Sequence, residues 1–127
     1  FIKKNITKPK KKGIRVSLFL EPNNKEILLA KKLGSDCVEI HTGKFCNSHN
    51  KGKSIKNSLS KIRKAAIFAN KIGLKVHAGH GLTYNSAKKL AKVSFISEFN
   101  IGHFIISESI FIGLKKVIKT FKKIINL

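Results

Sequence analysis

Two short segments of this chain place glycine beside histidine where a strand would end and a helix would begin. Residues 77–84 read His-Ala-Gly-His-Gly-Leu-Thr-Tyr, and residues 100–103 read Asn-Ile-Gly-His. Histidine is the common general acid or base near neutral pH, and glycine lets a backbone approach a ligand closely. In parallel α/β sheets and barrels, ligands bind at the carboxyl ends of the strands. The two segments therefore predict one site that moves protons and binds anions.

Each segment has a plain alternative. His80 lies between two glycines and is a candidate proton-transfer residue, or it is a histidine in a glycine-rich turn with no such duty. Gly102 and His103 precede a helix whose first backbone N–H groups would bind a phosphate, or they form an ordinary helix start. In eight-stranded barrels the loops after strands seven and eight often build a phosphate pocket. If the four strands of this chain are strands five to eight of such a barrel, both segments fall on those loops.

The middle of the second predicted strand carries two further polar residues, Glu39 and His41. A carboxylate inside a barrel is costly unless it is paired or catalytic. Glu39 is therefore either a catalytic carboxylate or the partner of Lys75 or Arg15 in an ion pair. No metal site is predicted, because residues three apart on a strand, such as His77 and His80, point to opposite sides.

The hydrophobic pattern predicts four strands, each followed by a helix. The strands cover residues 14–20, 37–42, 74–78 and 98–101, and the second helix is expected to begin at Ser54 after a polar loop over residues 44–53. Asn23, followed by Glu26 three residues later, is expected to cap the first helix, and the third helix is expected from Thr83 to Val93. A long final helical region is expected to bury one apolar stripe, consisting of Ile110, Leu114, Val117, Phe121 and Ile124.

The predicted strands are apolar on one face and polar on the other, whereas parallel strands covered by helices on both sides should be apolar on both. A barrel with helices outside and a polar interior explains this, and a two-layer sheet with one wet face is the alternative. Four βα units are half of a (β/α)₈ TIM barrel. We expect a single domain over residues 1–127. Residues 1–12 would be the lysine-rich end of a preceding helix or linker, and residues 13–127 would be strands five to eight with their helices.

The net charge of +21 comes almost entirely from lysine, since Arg15 and Arg63 are the only arginines. A basic nucleic-acid-binding module is one interpretation, but such surfaces favour arginine and interleaved aromatic residues. A proteome bias towards lysine is favoured instead. No apolar run reaches the ~20 residues of a membrane span. Cys37 and Cys46 are expected to be free thiols in a reducing, cytoplasmic setting.

Four ordered segments together resemble the pyridoxine 5′-phosphate synthase family of vitamin B6 biosynthesis. They are residues 15–22 (Arg-Val-Ser-Leu-Phe-Leu-Glu-Pro), residues 38–43 (Val-Glu-Ile-His-Thr-Gly), and the two glycine–histidine segments. The resemblance runs from about Gly13 to the carboxyl end. It implies a (β/α)₈ barrel assembled as a cytoplasmic octamer, with no metal or organic cofactor. It also implies a transferase-type condensation of 1-deoxy-D-xylulose 5-phosphate with 3-amino-2-oxopropyl phosphate, giving pyridoxine 5′-phosphate, phosphate and water.

The resemblance also implies roles for individual residues. His80 matches the family's proton donor, and Gly81, Gly102 and His103 match positions that bind the phosphate of the amino ketone. Glu39 resembles an active-site carboxylate of the family.

The chain departs from the family pattern in three places. Tyr84 is followed by Asn-Ser rather than His-Asn, and residues 107–109 read Ser-Glu-Ser rather than Ala-Arg-Ala. Glu108 would weaken phosphate binding if its side chain faced the pocket. The Asn-x-Asp-His segment of the family's amino-terminal half is missing from these residues. We therefore expect the carboxyl-terminal half of the enzyme, inactive alone, with a decayed non-catalytic remnant as the alternative.

Overall fold

Four parallel strands form one sheet in the computed structural model, which describes residues 2–125. Their order across the sheet is the order in the chain: β1 (Ser17–Leu20), β2 (Cys37–His41), β3 (Lys75–Gly79) and β4 (Ile96–Asn100). Every neighbouring pair is parallel. A parallel sheet in which neighbours in sequence are neighbours in space is the arrangement of a barrel wall. The α/β class is confirmed and the sheet is consistent with part of a TIM barrel, while the numbering of its strands as five to eight stays a prediction.

Seven helices accompany the described strands, and none of them is long and apolar enough to cross a membrane. They are α1 (Ile2–Lys11), α2 (Asn24–Lys32), α3 (Gly43–Asn50), α4 (Lys56–Lys71), α5 (Tyr84–Leu90), α6 (His103–Ile112) and α7 (Leu114–Ile125).

The main core lies between one face of the sheet and helices α2, α3, α4 and α5. The strands supply alternate residues, since successive side chains of a strand point to opposite faces. The helices supply residues spaced three or four apart, which form one buried stripe. The buried members include Val38, Ile40, Val76, Ala78, Ile27, Ile62, Ala66 and Leu90. This face of the sheet is the apolar one that the alternation predicts.

The other face of the sheet carries the polar residues that the alternation predicts. The strand register brings Phe19, Glu39, His77 and Glu98 into one row across β1 to β4. The His77 Nδ1 atom lies 3.5 Å from the Glu98 Oε1 atom, and Arg15 pairs with the other oxygen of Glu98. This face therefore carries carboxylates and imidazoles, where a closed barrel has its interior.

Two helix starts are confirmed and one is not. The Asn23 side chain accepts a hydrogen bond from the Lys25 N–H and begins α2, and Thr83 begins α5 through a reciprocal pair of bonds with Ser86. In both cases a side-chain oxygen accepts a hydrogen bond from a backbone N–H group at the helix start that has no partner within the helix. The predicted cap at Ser54 is wrong, because the residue before α4 is Ile55 and it makes no side-chain cap bond.

The predicted loop over residues 44–53 is also wrong, because most of it forms α3. Only Phe45 and Cys46 of its side chains are apolar and buried, so the segment lacks the long apolar stripe that indicates a helix in a sequence. The fourth strand begins two residues earlier than predicted, at Ile96. A register shift beside His77 inserts one extra residue in β4 and hides the alternation there.

The predicted final helix is two helices, α6 and α7, separated by Gly113 with a φ of +81°. The break changes the phase of the apolar stripe. Val117 and Phe121 are buried as predicted, but Ile110 is 78% exposed and Leu114 is 54% exposed. Ile124 is partly buried against the small second core formed with α5.

The amino-terminal lysine-rich segment forms α1 and is bound to the sheet. Lys10 donates hydrogen bonds to the Asp36 carboxylate and to the Gly34 carbonyl. Asp36 also accepts a hydrogen bond from the Val16 N–H, just before β1. These contacts attach α1 at the amino ends of β1 and β2, away from the strand ends that carry the candidate site residues.

Candidate functional site

The carboxyl ends of β3 and β4 border one pocket of about 430 Å³. Its lining includes both glycine–histidine segments, and we call it the Gly–His pocket. The lining residues that could meet a ligand through polar groups include His80, Gly81, Asn100, Gly102, His103 and Ser107. Four of the five candidate site residues therefore lie together, and only Glu39 lies outside the lining.

The β4 side of the Gly–His pocket is the start of a helix. Gly102 is the residue before α6 and makes no side-chain cap bond, so the first N–H groups of the helix remain available to a ligand. A Cβ atom built on Gly102 would meet nothing within 4 Å, and its φ is not in the left-handed region. Packing therefore gives no reason for glycine here. Glycine at this position leaves the backbone open to close approach by a ligand.

The β3 side of the pocket is a strained turn. His80 has a φ of +78°, which is rare for a residue with a side chain, and Gly81 follows with +79°. The turn is held from β2. The Thr42 hydroxyl lies 2.7 Å from both the Gly79 and the His80 carbonyl oxygens. Strain of this kind persists only when neighbouring structure enforces it, and it is concentrated at functional sites.

Glu39 lies on the polar face of β2 and reaches across β3. The Asn100 amide donates a 2.6 Å hydrogen bond to its Oε2 atom. The carboxylate passes over Gly79, where any Cβ atom would collide with it. The ion pair with Arg15 or Lys75 is the wrong alternative, because Arg15 pairs with Glu98 and the contact of Glu39 is Asn100. Glu39 thereby touches a residue of the Gly–His pocket without lining it.

Three contacts at this edge of the sheet were not predicted. Asn100 bridges Glu39 and the pocket, Thr42 holds the His80 turn, and Glu21 binds His41. The sequence places each of these residues at or just beyond a strand end, which is the available signal. Their partners lie on other strands, so only the register identifies them.

The position of Glu108 does not support the expectation that its side chain weakens phosphate binding. The lining of the pocket includes Ser107 but not Glu108. The Ser107 hydroxyl donates to the His103 carbonyl one turn earlier in α6. The acidic side chain therefore does not oppose an anion at this helix start.

The positive charge of the chain is spread over the fold. Every helix except α6 contains lysine, and α6 is the helix that borders the pocket. Within residues 2–125 the pocket lining contains no lysine or arginine. Anion binding there would rest on backbone N–H groups and imidazoles. The same described residues contain no group of three or more histidine, cysteine, aspartate or glutamate side chains that could hold a metal ion.

Both cysteines are free thiols, as expected, and the structure shows that both are buried. Burial raises the pKa of the Cys37 thiol and of the Cys46 thiol. Cys46 lies beneath the His80 turn, with its sulfur 3.7 Å from the Thr42 hydroxyl oxygen. A buried thiol with a raised pKa is a weak nucleophile, so these residues serve packing.

Comparison with known proteins places these features in a family context. The family model described as "Pyridoxal phosphate biosynthesis protein PdxJ" matches residues 1–127. The chain is 52% identical over 125 residues to the pyridoxine 5′-phosphate synthase of Pelagibacter ubique, covering 98% of this chain and 52% of that protein. It is 46% identical over 123 residues to the enzyme of the same name from a Sulfurihydrogenibium species, covering 96% of this chain and 50% of that protein. The chain spans about half the length of the curated relatives it matches.

Proposed function

Because the chain belongs to the family of the pyridoxal phosphate biosynthesis protein PdxJ, we propose that it supplies half of the active site of a pyridoxine 5′-phosphate synthase. Membership confirms the resemblance carried by the four sequence segments, and the proposed role of the chain is in vitamin B6 biosynthesis. The proposed reaction condenses 1-deoxy-D-xylulose 5-phosphate with 3-amino-2-oxopropyl phosphate. The products are pyridoxine 5′-phosphate, phosphate and water.

The observation that carries the proposal is that both glycine–histidine segments line one pocket. Imine formation, loss of water and ring closure all require proton transfers, which a histidine performs near neutral pH. We assign His80 as the proton donor. The phosphate of the amino ketone would bind Gly81, Gly102 and His103, where backbone N–H groups are available.

Glu39 is assigned as the second proton-transfer group. Its carboxylate accepts a hydrogen bond from Asn100, which lines the pocket, so Glu39 is one contact away from a substrate bound there. A carboxylate and an imidazole at one site can serve as a base and an acid in successive steps.

We further propose that turnover requires residues beyond these 127. The chain covers about half of each relative, and β1 and β4 are the edges of the described four-stranded sheet. Exposed strand edges offer unpaired N–H and C=O groups to further strands. Assembly as an octamer stays an expectation from the resemblance.

The test combines this chain with the part of the Pelagibacter ubique protein that it does not align with, either fused or co-expressed. Product formation from the two phosphorylated substrates is followed by chromatography. We expect turnover by the combination and none by the chain alone. His80→Gln should lower the rate at least ~100-fold, the usual contribution of a general acid, while His49→Gln, which alters a histidine of α3 outside the pocket, should not.

A folded combination without product, verified by circular dichroism, would contradict the proposed reaction. Full activity of His80→Gln would contradict the role of His80 alone. Turnover by the isolated 127-residue chain would contradict the requirement for further residues.

A further inference from the structure

A carboxylate, an imidazole and the His80 turn follow three neighbouring strands. Glu21 comes directly after β1, His41 ends β2, and His80 comes directly after β3. The Glu21 Oε1 atom lies 2.7 Å from the His41 Nδ1 atom. The rings of His41 and His80 meet edge to face, with their centroids 4.7 Å apart and an angle of 64° between their planes. The three groups therefore form a continuous chain of contacts that ends at the proposed proton donor.

The charge on Glu21 fixes which nitrogen of His41 carries a proton. The hydrogen bond from His41 lowers the pKa of the Glu21 carboxyl, and the nearby Lys44 ammonium lowers it further. The carboxylate is therefore ionised at neutral pH and can only accept a hydrogen bond. It follows that His41 donates from Nδ1. The other ring atoms of His41, including Nε2, face the start of α3.

The start of α3 is shaped to admit both imidazoles. A Cβ atom on Gly43 would lie 2.7 Å from His41 Nε2 and 3.1 Å from His80 Cδ2. The Phe19 ring is a further neighbour of both imidazoles, with ring centroids 5.0 Å from His41 and 6.4 Å from His80. The His80 ring is thus bordered by groups of β1, β2 and α3, while its backbone is bound by Thr42.

We propose that Glu21 and His41 are a positioning pair that orients the His80 imidazole towards the Gly–His pocket. The inference rests on the proposed function, in which His80 gives a proton to the substrate. Glu21 fixes the rotamer and tautomer of His41, and the His41 ring edge then restricts the His80 ring. Neither residue lines the pocket, so they act through His80 and not on the substrate.

A contribution to the stability of the fold does not by itself explain the contact between Glu21 and His41. The Glu21 side chain is 42% exposed and the His41 side chain is 25% exposed, so solvent reaches both partners. Exposed ion pairs contribute about 0–1 kcal/mol. His80 is itself exposed, and the rings that it contacts are those of His41 and Phe19. The pair therefore affects the orientation of the His80 ring more than it affects the free energy of unfolding.

The first test observes the rings directly in the 127-residue chain labelled with ¹⁵N-histidine. At pH 8, above the ordinary imidazole pKa of about 6.5, we expect long-range ¹H–¹⁵N spectra to show a protonated Nδ1 on His41. Glu21→Ala should move His41 towards the Nε2–H tautomer and shift the His80 ring resonances. Glu26→Ala removes an equal charge from α2 and should change neither. A bare Nδ1 on His41, or unchanged His80 resonances in Glu21→Ala, would overturn the proposal.

The second test uses the combined enzyme described above. Misplacement of a reacting group by about 1 Å costs up to ~100-fold in rate, so Glu21→Ala should lower kcat about 10- to 100-fold with little change in KM. Glu21→Gln retains an acceptor for His41 Nδ1 and should recover part of that loss. An unchanged kcat, or a rise in KM alone, would overturn the positioning role. If the combined enzyme makes no product at all, the proposed function fails, and the ring spectra still decide whether the pair exists.

Discussion

The hydroxyl of Thr42, the residue that follows β2, contacts the strained turn at His80. Thr42 is fully buried, and its oxygen lies 2.7 Å from the carbonyl oxygens of both Gly79 and His80. It also accepts the weak hydrogen bond of the Cys46 thiol. Thr42→Val keeps the shape of the side chain and removes all three interactions.

The size of the loss follows from which groups remain unpaired. The Gly79 carbonyl keeps a hydrogen bond from the Thr42 N–H, at 2.9 Å. The His80 carbonyl is only partly buried and can regain a water molecule. A net hydrogen bond contributes about 0.5–1.5 kcal/mol, and a buried group left unpaired costs about 1–3 kcal/mol. We therefore expect Thr42→Val to lower the free energy of unfolding by about 1–2 kcal/mol.

Urea unfolding of the 127-residue chain measures this value, with an expected decrease of roughly 1 M in the midpoint at an unchanged slope. Thr120→Val is the matched control, because the Thr120 hydroxyl donates to the Lys116 carbonyl on the exposed side of α7. That variant should change stability by less than about 0.5 kcal/mol. Equal effects of the two substitutions would refute the reasoning, since the hydroxyl at residue 42 would then carry no more than a surface contact.

Three further predictions test the core, the site and the response to acid. Ile62→Ala should lower the free energy of unfolding by about 2–5 kcal/mol in urea, because it leaves a cavity in a fully buried position. Gly79→Ala should displace the Glu39 carboxylate and change the Asn100 side-chain amide resonances; unchanged resonances would contradict the contact. The Lys10 hydrogen bond and the Val16 N–H lower the pKa of Asp36 below its ordinary value of 3.8, so its contribution to stability is present above that value and is lost as the pH falls below it. Asp36→Asn should therefore weaken the acid dependence of thermal unfolding, and an unchanged dependence would count against the pairing.

The strands and two helix starts could be predicted because their signals are local. Alternation of apolar and polar residues marks β1 to β3, and Asn23 and Thr83 cap helices through bonds to residues two or three positions away. The helix α3 could not be predicted in the same way. It buries Phe45 in the main core and Cys46 under the His80 turn, and that packing exists only once β2 and β3 are paired.

The same distinction between local signals and contacts between strands applies to the candidate site. His80, Gly81, Gly102 and His103 could be predicted, since each is defined by its own strand end. The contacts of Glu39 could not, because its choice between Arg15 and Asn100 depends on how far each strand extends. The pair of Glu21 and His41 joins two strands and depends equally on register.

The glycines at the strand ends specify the geometry of this site as much as its reactive side chains do. Glu39 can reach Asn100 only because Gly79 has no side chain, and two imidazoles can meet above α3 only because Gly43 has none. In each case the glycine belongs to a different element from the group that it admits. Burying carboxylates and imidazoles on the polar face of a sheet costs free energy unless these groups have hydrogen-bond partners. Gly79 and Gly43 leave the space through which these side chains reach their partners, so the positions of the glycines determine which contacts form.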